Sequence, residues 1–217
     1  MTTTPDSLTY SSVVSRDSIR IAFLVAGLND LDVLAGDVTN AYLNAPCREK
    51  IWFEGKTETG PDAGKVLILT RALYGLKSSG AAWRADLAGT LRDLGYSSTQ
   101  ADPDVWIKVM NDHYEMVLVY VDDILIFNRD PKLVMDELGN QYELKPESVK
   151  QLDIYLGANL DKVQLPDGRS EWSMSPRTYV KNAIKIVENL LAEDGDETGM
   201  RSSARNPFPP GIDLRWM

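Results

Sequence analysis

The pattern of apolar and polar positions predicts four helices and eight strands along the 217-residue chain. The first helix, at 15–28, is apolar on nearly all sides, so we expect it to be buried. The second helix, at 79–94, ends at Gly95 and carries a core-facing apolar stripe at helical spacing: Trp83, Leu87, Leu91 and Leu94. Two further helices are expected to open at Asp130-Pro131 and Ser175-Pro176, because proline favours the first turn of a helix.

The predicted strands are short apolar runs, rich in β-branched and aromatic residues and bounded by turn residues. They lie at 33–38, 50–53, 65–69, 104–109, 114–121, 124–127, 154–160 and 171–174. Helices packed on one face of a mainly antiparallel sheet make an α+β domain, here followed by a C-terminal hairpin and helix. We predict an extended or disordered N-terminus at 1–14, the folded domain at 15–192 and a disordered tail at 193–217.

Two adjacent carboxylates, Asp122 and Asp123, interrupt the most hydrophobic run of the chain, at 116–127. Taking an ionised carboxylate out of water is costly unless it is paired or bound to a metal, and two neighbouring ones repel each other. A plain hairpin turn is the alternative, because aspartate is a good turn former. The favoured two-residue turns contain Asn-Gly or Asp-Gly, however. We therefore interpret the pair as a metal-binding corner between two buried strands.

A third candidate carboxylate, Asp37, falls at the end of the predicted strand 33–38. A structural role at a strand end or as a helix cap is the alternative for Asp37. Asp32 is a weaker candidate, because it follows Asn29 and Asp30 in a polar connection. If the strands are neighbours, Asp37 and the Asp-Asp pair would hold two divalent ions about 4 Å apart, as in-line phosphoryl displacement requires.

Five segments of the chain occur in an order and at a spacing that are typical of one group of polymerases. They are Asp37-Val38-Thr39-Asn40-Ala41-Tyr42-Leu43, Leu73-Tyr74-Gly75-Leu76-Lys77 with Ala82-Trp83, Ala101-Asp102-Pro103-Asp104, Tyr120-Val121-Asp122-Asp123 and Tyr155-Leu156-Gly157. Together they resemble the reverse transcriptases of copia (Ty1-like) LTR retrotransposons, from about Thr9 to Pro210. Ser78-Ser79-Gly80 stands where that family has Gln-Ala-Pro, so the resemblance does not determine the shape of this loop.

The resemblance implies a polymerase palm and RNA-directed DNA polymerase activity by a two-metal mechanism. Asp37 and Asp122 would be the main ligands of two Mg²⁺ ions, with Mn²⁺ as an alternative, and Asp123 would be a more peripheral ligand. The substrates would be deoxynucleoside triphosphates and an RNA or DNA template with its primer. A catalytically inactive palm remnant of a retrotransposon is the alternative. A nucleotide cyclase is a third hypothesis, which the match from Leu73 to Trp83 disfavours.

The same resemblance implies roles for other residues near these motifs. Tyr42 would be the aromatic gate that leaves no room for a ribose 2′-hydroxyl, although an ordinary half-buried aromatic residue also fits. Gly75 and Lys77 would face the template and the nucleotide. Tyr120 would touch the primer terminus.

Lys145 lies where related polymerases carry a lysine that protonates the leaving pyrophosphate. A plain surface lysine is the alternative, and Lys150 competes for the same role. The family's chain also includes a fingers region and an RNase H domain within a polyprotein. Little sequence precedes the first helix here, so we expect a palm-region fragment with incomplete fingers, whose exposed apolar surface favours self-association.

Composition limits the other classes of function. One cysteine, Cys47, excludes a disulfide framework or a zinc cluster, and the single histidine, His113, is expected to be a solvated turn residue, which argues against histidine-based catalysis. With neither a signal-peptide pattern nor a membrane-length apolar run, we expect no membrane partner and an intracellular protein, in cytoplasmic virus-like particles or the nucleus, that is not secreted. The net charge of −9 predicts a weak grip on nucleic acid, with a small basic cluster: Lys65, Arg71, Lys77 and Arg84.

Overall fold

The structure is a computed structural model that describes residues 9, 11–151, 153–155, 157–168 and 170–193, with only the backbone for 192 and 193. Most of the predicted N-terminus and tail therefore lies outside the described residues, and the predicted domain limits stay a prediction. The contacts divide the chain into two units, Met1–Asp153 with Leu160–Ser173 and Ile154–Asn159 with Met174–Met217.

The described residues form eleven strands, five α-helices and a short 3-10 helix at Thr57–Asp62. The strands are β1 (Asp32–Asp37), β2 (Trp52–Glu54), β3 (Val66–Ile68), β4 (Ser97–Ser98), β5 (Val105–Val109), β6 (Tyr114–Tyr120), β7 (Asp123–Asn128), β8 (Lys150–Gln151), β9 (Ile154–Tyr155), β10 (Ala158–Gln164) and β11 (Ser170–Ser175). The helices are α1 (Arg16–Leu28), α2 (Ala41–Asn44), α3 (Ser79–Asp93), α4 (Pro131–Gly139) and α5 (Arg177–Glu193).

Six strands form one antiparallel sheet in the first unit, in the order β4-β5-β6-β7-β1-β8. The register pairs β6 with β7 as a hairpin and places β1 beside β7, with Val33 opposite Phe127. This mixture of helices and antiparallel strands confirms the predicted α+β class. The sheet order matters for function, because it makes the end of β1 a neighbour of the β6–β7 turn.

The central strands of the sheet are covered on both faces. Ile124 and Ile126 of β7 pack in one core cluster with residues of α3 and α4. Phe127 faces α1 instead, where its ring centroid lies 5.1 Å from that of Phe23. The expectation that the helices pack on one face is therefore wrong. The reason is that the inner part of β7 is apolar at consecutive positions, so both of its faces must be shielded from water.

Helix α1 buries one side only. Its N-cap residue is Ser15, whose hydroxyl accepts a hydrogen bond from the Ser18 N–H at 3.1 Å. The residues that face the sheet are buried: Ile19, Ala22, Phe23 and Ala26. Three other apolar residues are exposed: Ile21, Leu24 and Leu28. The prediction of a helix buried on nearly all sides is wrong, because a helix lying on a sheet covers a single stripe of its own surface.

β2 and β3 form a separate two-stranded antiparallel ribbon, with Trp52 opposite Ile68. Its apolar side chains are exposed: Trp52, Phe53, Val66 and Ile68. This is the kind of apolar surface that the sequence predicts, while the self-association expected from it stays a prediction.

The chain beyond β8 departs from the prediction at one turn. A single strand is predicted at 154–160, but Gly157 has a φ of 80° and turns the chain between β9 and β10. The two strands pair with each other, with Tyr155 opposite Ala158. The predicted turn around Gly168 and the predicted helix after Pro176 are confirmed. Among the described residues, no helix is both long enough and apolar enough to cross a bilayer.

Candidate active site

Three carboxylates meet at one edge of the sheet, where β1 ends and the β6–β7 hairpin turns. Asp37, the last residue of β1, lies directly opposite Asp123, the first residue of β7. Asp122 precedes Asp123 in the turn, and its carbonyl accepts a hydrogen bond from the Val38 N–H at 2.9 Å. The structure thus brings together the three acidic residues that the sequence predicts at this edge. Their role as metal ligands stays a prediction.

The turn between β6 and β7 lies one residue earlier than predicted. Tyr120 pairs with Asp123, so the two turn residues are Val121 and Asp122 rather than Asp122 and Asp123. Val121 has a φ of 59°, in the left-handed region that β-branched residues rarely adopt. The predicted Asp-Asp turn is wrong by one position, because a strained valine takes the first place of the turn. Asp123 consequently belongs to the strand and faces Asp37.

Lys145 supplies positive charge to these carboxylates. Its Nζ donates a hydrogen bond to Asp37 Oδ2 at 2.6 Å and lies 3.9 Å from Asp122 Oδ2. The hydrogen bond to Asp37 is the largest cause of the raised pKa of Lys145, which burial opposes. The Lys145 N–H also donates to the Asp37 carbonyl at 2.8 Å, so the backbone holds the lysine in place.

The carboxylates outnumber the cation beside them. Asp37 Oδ1 is buried without a hydrogen-bond partner. Burial raises the pKa of Asp123, and the charges of Asp37 and Asp122 raise this pKa further. Carboxylate oxygens are the ligands that Mg²⁺ prefers, so the residue types fit such an ion. Within the described part of the chain, however, no three His, Cys, Asp or Glu side chains are arranged as a ready metal-ligand group. Lys145 occupies one oxygen of Asp37 in this arrangement.

Comparison with known proteins decides the family. A family model described as reverse transcriptase (RNA-dependent DNA polymerase) matches residues 5–188. The chain belongs to the reverse transcriptase family. This confirms the resemblance predicted from the motifs, since the related proteins are retrotransposon Pol polyproteins of the copia and Ty1 type.

Three relatives show how much of a longer protein this reverse transcriptase domain represents. The Pol polyprotein from transposon RE1 of Arabidopsis thaliana is 30% identical over 85% of this chain and 12% of the relative. The Pol polyprotein from transposon TNT 1-94 of Nicotiana tabacum is 32% identical over 63% of this chain and 11% of the relative. The Ty1-GR3 Gag-Pol polyprotein of Saccharomyces cerevisiae is 27% identical over 88% of this chain and 10% of the relative. The chain thus spans a small part of each polyprotein.

Tyr42 of the reverse transcriptase domain sits on the short helix that follows β1. Its ring is half-buried and lies 4.5 Å from the ring of Tyr74, centroid to centroid, at an angle of 31°. Burial raises the pKa of the Tyr74 hydroxyl, and the charge of Asp122 raises this pKa further. Tyr74 therefore lies in the electric field of the carboxylates. The sequence motif includes Tyr74, and the position of Tyr74 directly before Gly75 is the signal that could have identified it.

Serine residues close the loop before α3, at the positions where the sequence departs from the family motif. The Ser78 N–H and hydroxyl both donate to Glu49 Oε1, at 3.1 and 2.6 Å. The Ser79 hydroxyl donates to the Leu73 carbonyl at 2.6 Å. Serine hydroxyls thus close this loop, where Gln-Ala-Pro has none to offer.

The other predicted contact residues lie at different distances from the carboxylate edge. Tyr120 is partly buried at the end of β6 and pairs with Asp123, so it belongs to this edge. Gly75 has a φ of 93° with open space around it, and Lys77 is exposed. A side chain at position 75 would be strained, because this φ lies in the left-handed region. The roles of Gly75, Lys77 and Tyr120 stay predictions.

The structure shows which of the alternative lysines and aspartates lie near the carboxylate edge. Lys150 Nζ lies 3.7 Å from Asp153, whereas Lys145 contacts Asp37. Asp32 begins β1, at the end opposite to Asp37, and accepts a hydrogen bond from Lys162 at 2.8 Å. Lys145 is therefore the better placed lysine, and Asp32 lies away from the cluster.

His113 is buried, so the prediction of a solvated turn residue is wrong. Only 8% of it is exposed. Its Nδ1 lies 2.8 Å from Asp112 Oδ1, and its Nε2 lies 3.6 Å from Glu115 Oε1. These acidic neighbours on both sides of the ring, one of them in β6, account for burial that the local polar sequence does not suggest. His113 lies just before the start of β6, whereas Asp122 and Asp123 follow the other end of this strand.

Replacing Asp123 by asparagine is expected to stabilise the metal-free domain at pH 7. The folded-state pKa of Asp123 is raised, so keeping it ionised costs stability once the pH exceeds that pKa. The favourable contribution of a protonated Asp123 is complete below its unfolded-state pKa and is lost as the pH rises through the folded-state pKa. We expect Asp123→Asn to raise Tm at pH 7 by roughly 2–4 °C, the shift that about 1 kcal/mol causes in a domain of this size.

Thermal unfolding followed by circular dichroism between pH 7 and pH 4 measures this effect. The gain should shrink as the pH falls, because wild-type Asp123 then takes up its proton. Asp32→Asn is the matched control, since it removes a carboxylate at the other end of the neighbouring strand. An unchanged or lower Tm for Asp123→Asn at pH 7 contradicts the prediction.

Proposed function

We propose that this chain is the catalytic palm of an RNA-directed DNA polymerase, which extends a primer 3′-hydroxyl with deoxynucleoside triphosphates on an RNA or DNA template. The proposal is carried by the meeting of Asp37, Asp122 and Asp123 at one sheet edge, in a chain of the reverse transcriptase family. The antiparallel sheet behind this edge, with α3 and α4 packed on it, supports a palm.

The residues at this edge divide the work of nucleotidyl transfer. When bound, two Mg²⁺ or Mn²⁺ ions would lower the pKa of the primer hydroxyl and stabilise the charge that develops on the leaving pyrophosphate. Asp37 and Asp122 would hold the ions, with Asp123 as the more peripheral ligand. Tyr42 would pack against the sugar and exclude a 2′-hydroxyl. Lys145 would donate a proton from Nζ to the leaving pyrophosphate.

A second candidate function is a palm that binds divalent ions without turnover. One observation favours it: the net charge of the chain is −9, which weakens the binding of phosphate groups. Template, primer, the other polyprotein parts and an intracellular site of action stay predictions.

Primer extension on an RNA template, with Mg²⁺ or Mn²⁺, separates the two candidates. We expect metal-dependent addition of deoxynucleotides to the labelled primer. Binding of Mn²⁺ without any addition favours the second candidate. Addition that persists when a chelator has removed the divalent ions contradicts the two-metal proposal.

Replacing Lys145 by alanine is expected to tighten Mn²⁺ binding. The Lys145 ammonium competes with a metal ion for Asp37 Oδ2, and it is partly exposed, so its removal should lower the Mn²⁺ Kd by about threefold to fivefold. Electron paramagnetic resonance of free Mn²⁺ gives the Kd. Lys150→Ala is the matched control and should leave the Kd unchanged, because Lys150 pairs with Asp153. Weaker Mn²⁺ binding by Lys145→Ala refutes the competition.

A further inference from the structure

The strained turn beside the carboxylates is held by a hydrogen bond from the core. Four non-glycine residues in the described part of the chain have positive φ: Asp30, Asn40, Val121 and Glu147. Val121 is the β-branched one among them, and its side chain disfavours this conformation most. Such a conformation persists only where the surrounding structure imposes it. The contacts of the Val121–Asp122 turn must therefore hold Val121 in this conformation.

Both carbonyls of the turn accept hydrogen bonds from other elements. The indole Nε1–H of Trp83 donates to the Val121 carbonyl at 2.7 Å. The Val38 N–H, next to Asp37, donates to the Asp122 carbonyl at 2.9 Å. One bond comes from α3 and the other from the end of β1, so the peptide groups on both sides of Asp122 are fixed. The bond from Val38 joins two main-chain groups, whereas the bond from Trp83 is donated by a side chain.

The Trp83 indole is packed in the core as well as held by its bond to the turn. Trp83 is 2% exposed, and its ring meets that of Tyr142 edge to face, with centroids 5.0 Å apart at 79°. The Tyr142 hydroxyl donates to Asp86 at 3.0 Å and lies 2.7 Å from the Thr90 hydroxyl. Burial raises the pKa of Tyr142 to about 12, so the hydroxyl keeps its proton. Next to Trp83, Arg84 anchors α3 through an ion pair with Asp104 at 2.8 Å.

We propose that Trp83 is a positioning residue, which holds the Val121 carbonyl through its indole N–H and so keeps the Asp122 carboxylate beside Asp37. The helical stripe that includes Trp83 also explains it as an ordinary core residue. The two explanations differ in whether the indole N–H matters. Trp83→Phe tests this, because it retains a buried aromatic ring and loses the N–H donor. The effect on catalysis rests on the proposed function, but the effect on the turn does not.

The test compares Trp83→Phe with Trp106→Phe. Trp106 belongs to the same core cluster but lies on β5, opposite Val117 and away from the turn. We expect Trp83→Phe to weaken Mn²⁺ binding by roughly fivefold to tenfold, the loss of one buried hydrogen bond, and Trp106→Phe to leave the Mn²⁺ Kd near that of the wild type. Equal Kd changes in the two variants, or none in Trp83→Phe, overturn the proposal.

A second substitution distinguishes positioning from general damage to the core. Glycine adopts positive φ without strain, so Val121→Gly should remove the need for the Trp83 bond. We expect Val121→Gly, added to Trp83→Phe, to recover most of the lost Mn²⁺ affinity without raising the free energy of unfolding to the wild-type value. If the double variant binds Mn²⁺ as weakly as Trp83→Phe, the bond does not act through the strained valine.

A metal-free measurement keeps the inference separate from the proposed function. In nuclear magnetic resonance spectra without metal, Trp83→Phe should shift the carbonyl ¹³C signal of Val121 and the amide signal of Asp122, and Trp106→Phe should not. Unmoved signals in Trp83→Phe overturn the proposal whether or not the protein binds Mn²⁺. If the signals move but the wild type extends no primer, the proposed polymerase function fails while the positioning of the turn stands.

Discussion

Asp122→Asn is expected to reduce primer extension on the order of a thousandfold. Asparagine retains the size of the side chain but replaces a charged oxygen with an amide, so it loses the affinity for a divalent ion that the carboxylate would supply. Asp122 lies in the turn between the strained Val121 and the strand residue Asp123, so the substitution removes one of the three carboxylate charges of the cluster. The measurement is the single-turnover rate of nucleotide addition at saturating Mg²⁺.

The matched control for this substitution is Asp32→Asn. It makes the same chemical change on β1, but at the end of the strand where Asp32 pairs with Lys162. We expect Asp32→Asn to retain activity within a factor of about two, in line with the small energies of exposed ion pairs. Similar far-ultraviolet circular dichroism of both variants shows that the fold is intact. Nucleotide addition by Asp122→Asn at the wild-type rate refutes the site assignment.

Tyr42→Ala is expected to admit ribonucleotides. If the Tyr42 ring packs against the sugar, its removal opens space for one hydroxyl, and discrimination of this kind spans roughly 10–200-fold. The ring of Tyr42 also contacts that of Tyr74, with centroids 4.5 Å apart, and Tyr42→Ala removes this contact as well. The measurement is the ratio of kcat/KM for a deoxynucleotide to kcat/KM for the matching ribonucleotide.

Tyr42→Phe separates the ring from its hydroxyl. Phenylalanine retains the aromatic face and the contact with Tyr74, so we expect its nucleotide selectivity to stay close to that of the wild type. If Tyr42→Ala also keeps the wild-type selectivity while extending primers, Tyr42 is an ordinary half-buried aromatic residue. If both variants lose selectivity equally, the hydroxyl rather than the ring excludes the ribose.

Much of the sheet could be predicted because its burial leaves a clear pattern. The apolar run around Asp122 and Asp123 marks two buried strands, since no exposed segment needs so many consecutive apolar residues. The stripe from Trp83 to Leu91 likewise predicts the buried side of α3, where both residues are in the core. The meeting of Asp37 with the hairpin required the family resemblance as well, because strand order is not encoded in local periodicity.

The remaining details depend on contacts that local periodicity and propensity do not determine. The position of the turn follows from the Trp83 and Val38 hydrogen bonds, which make a strained Val121 tolerable where local propensity favours aspartate. The burial of His113 follows from its contact with Glu115 one step into β6. The Trp83 and Val38 contacts join residues that are far apart in the sequence, whereas the His113 contact depends on where β6 begins.

The place of β1 in the sheet has a consequence for synthesis of the chain. β1 lies between β7 and β8, both of which follow it in the sequence. As the polypeptide leaves the ribosome, β1 emerges first, and both of its edges stay unpaired until β7 has been translated. The β6–β7 hairpin closes locally, but joining β1 to it requires closure of a much longer loop, which slows folding. The acidic cluster is therefore assembled late, and the nascent chain carries an open strand edge until then.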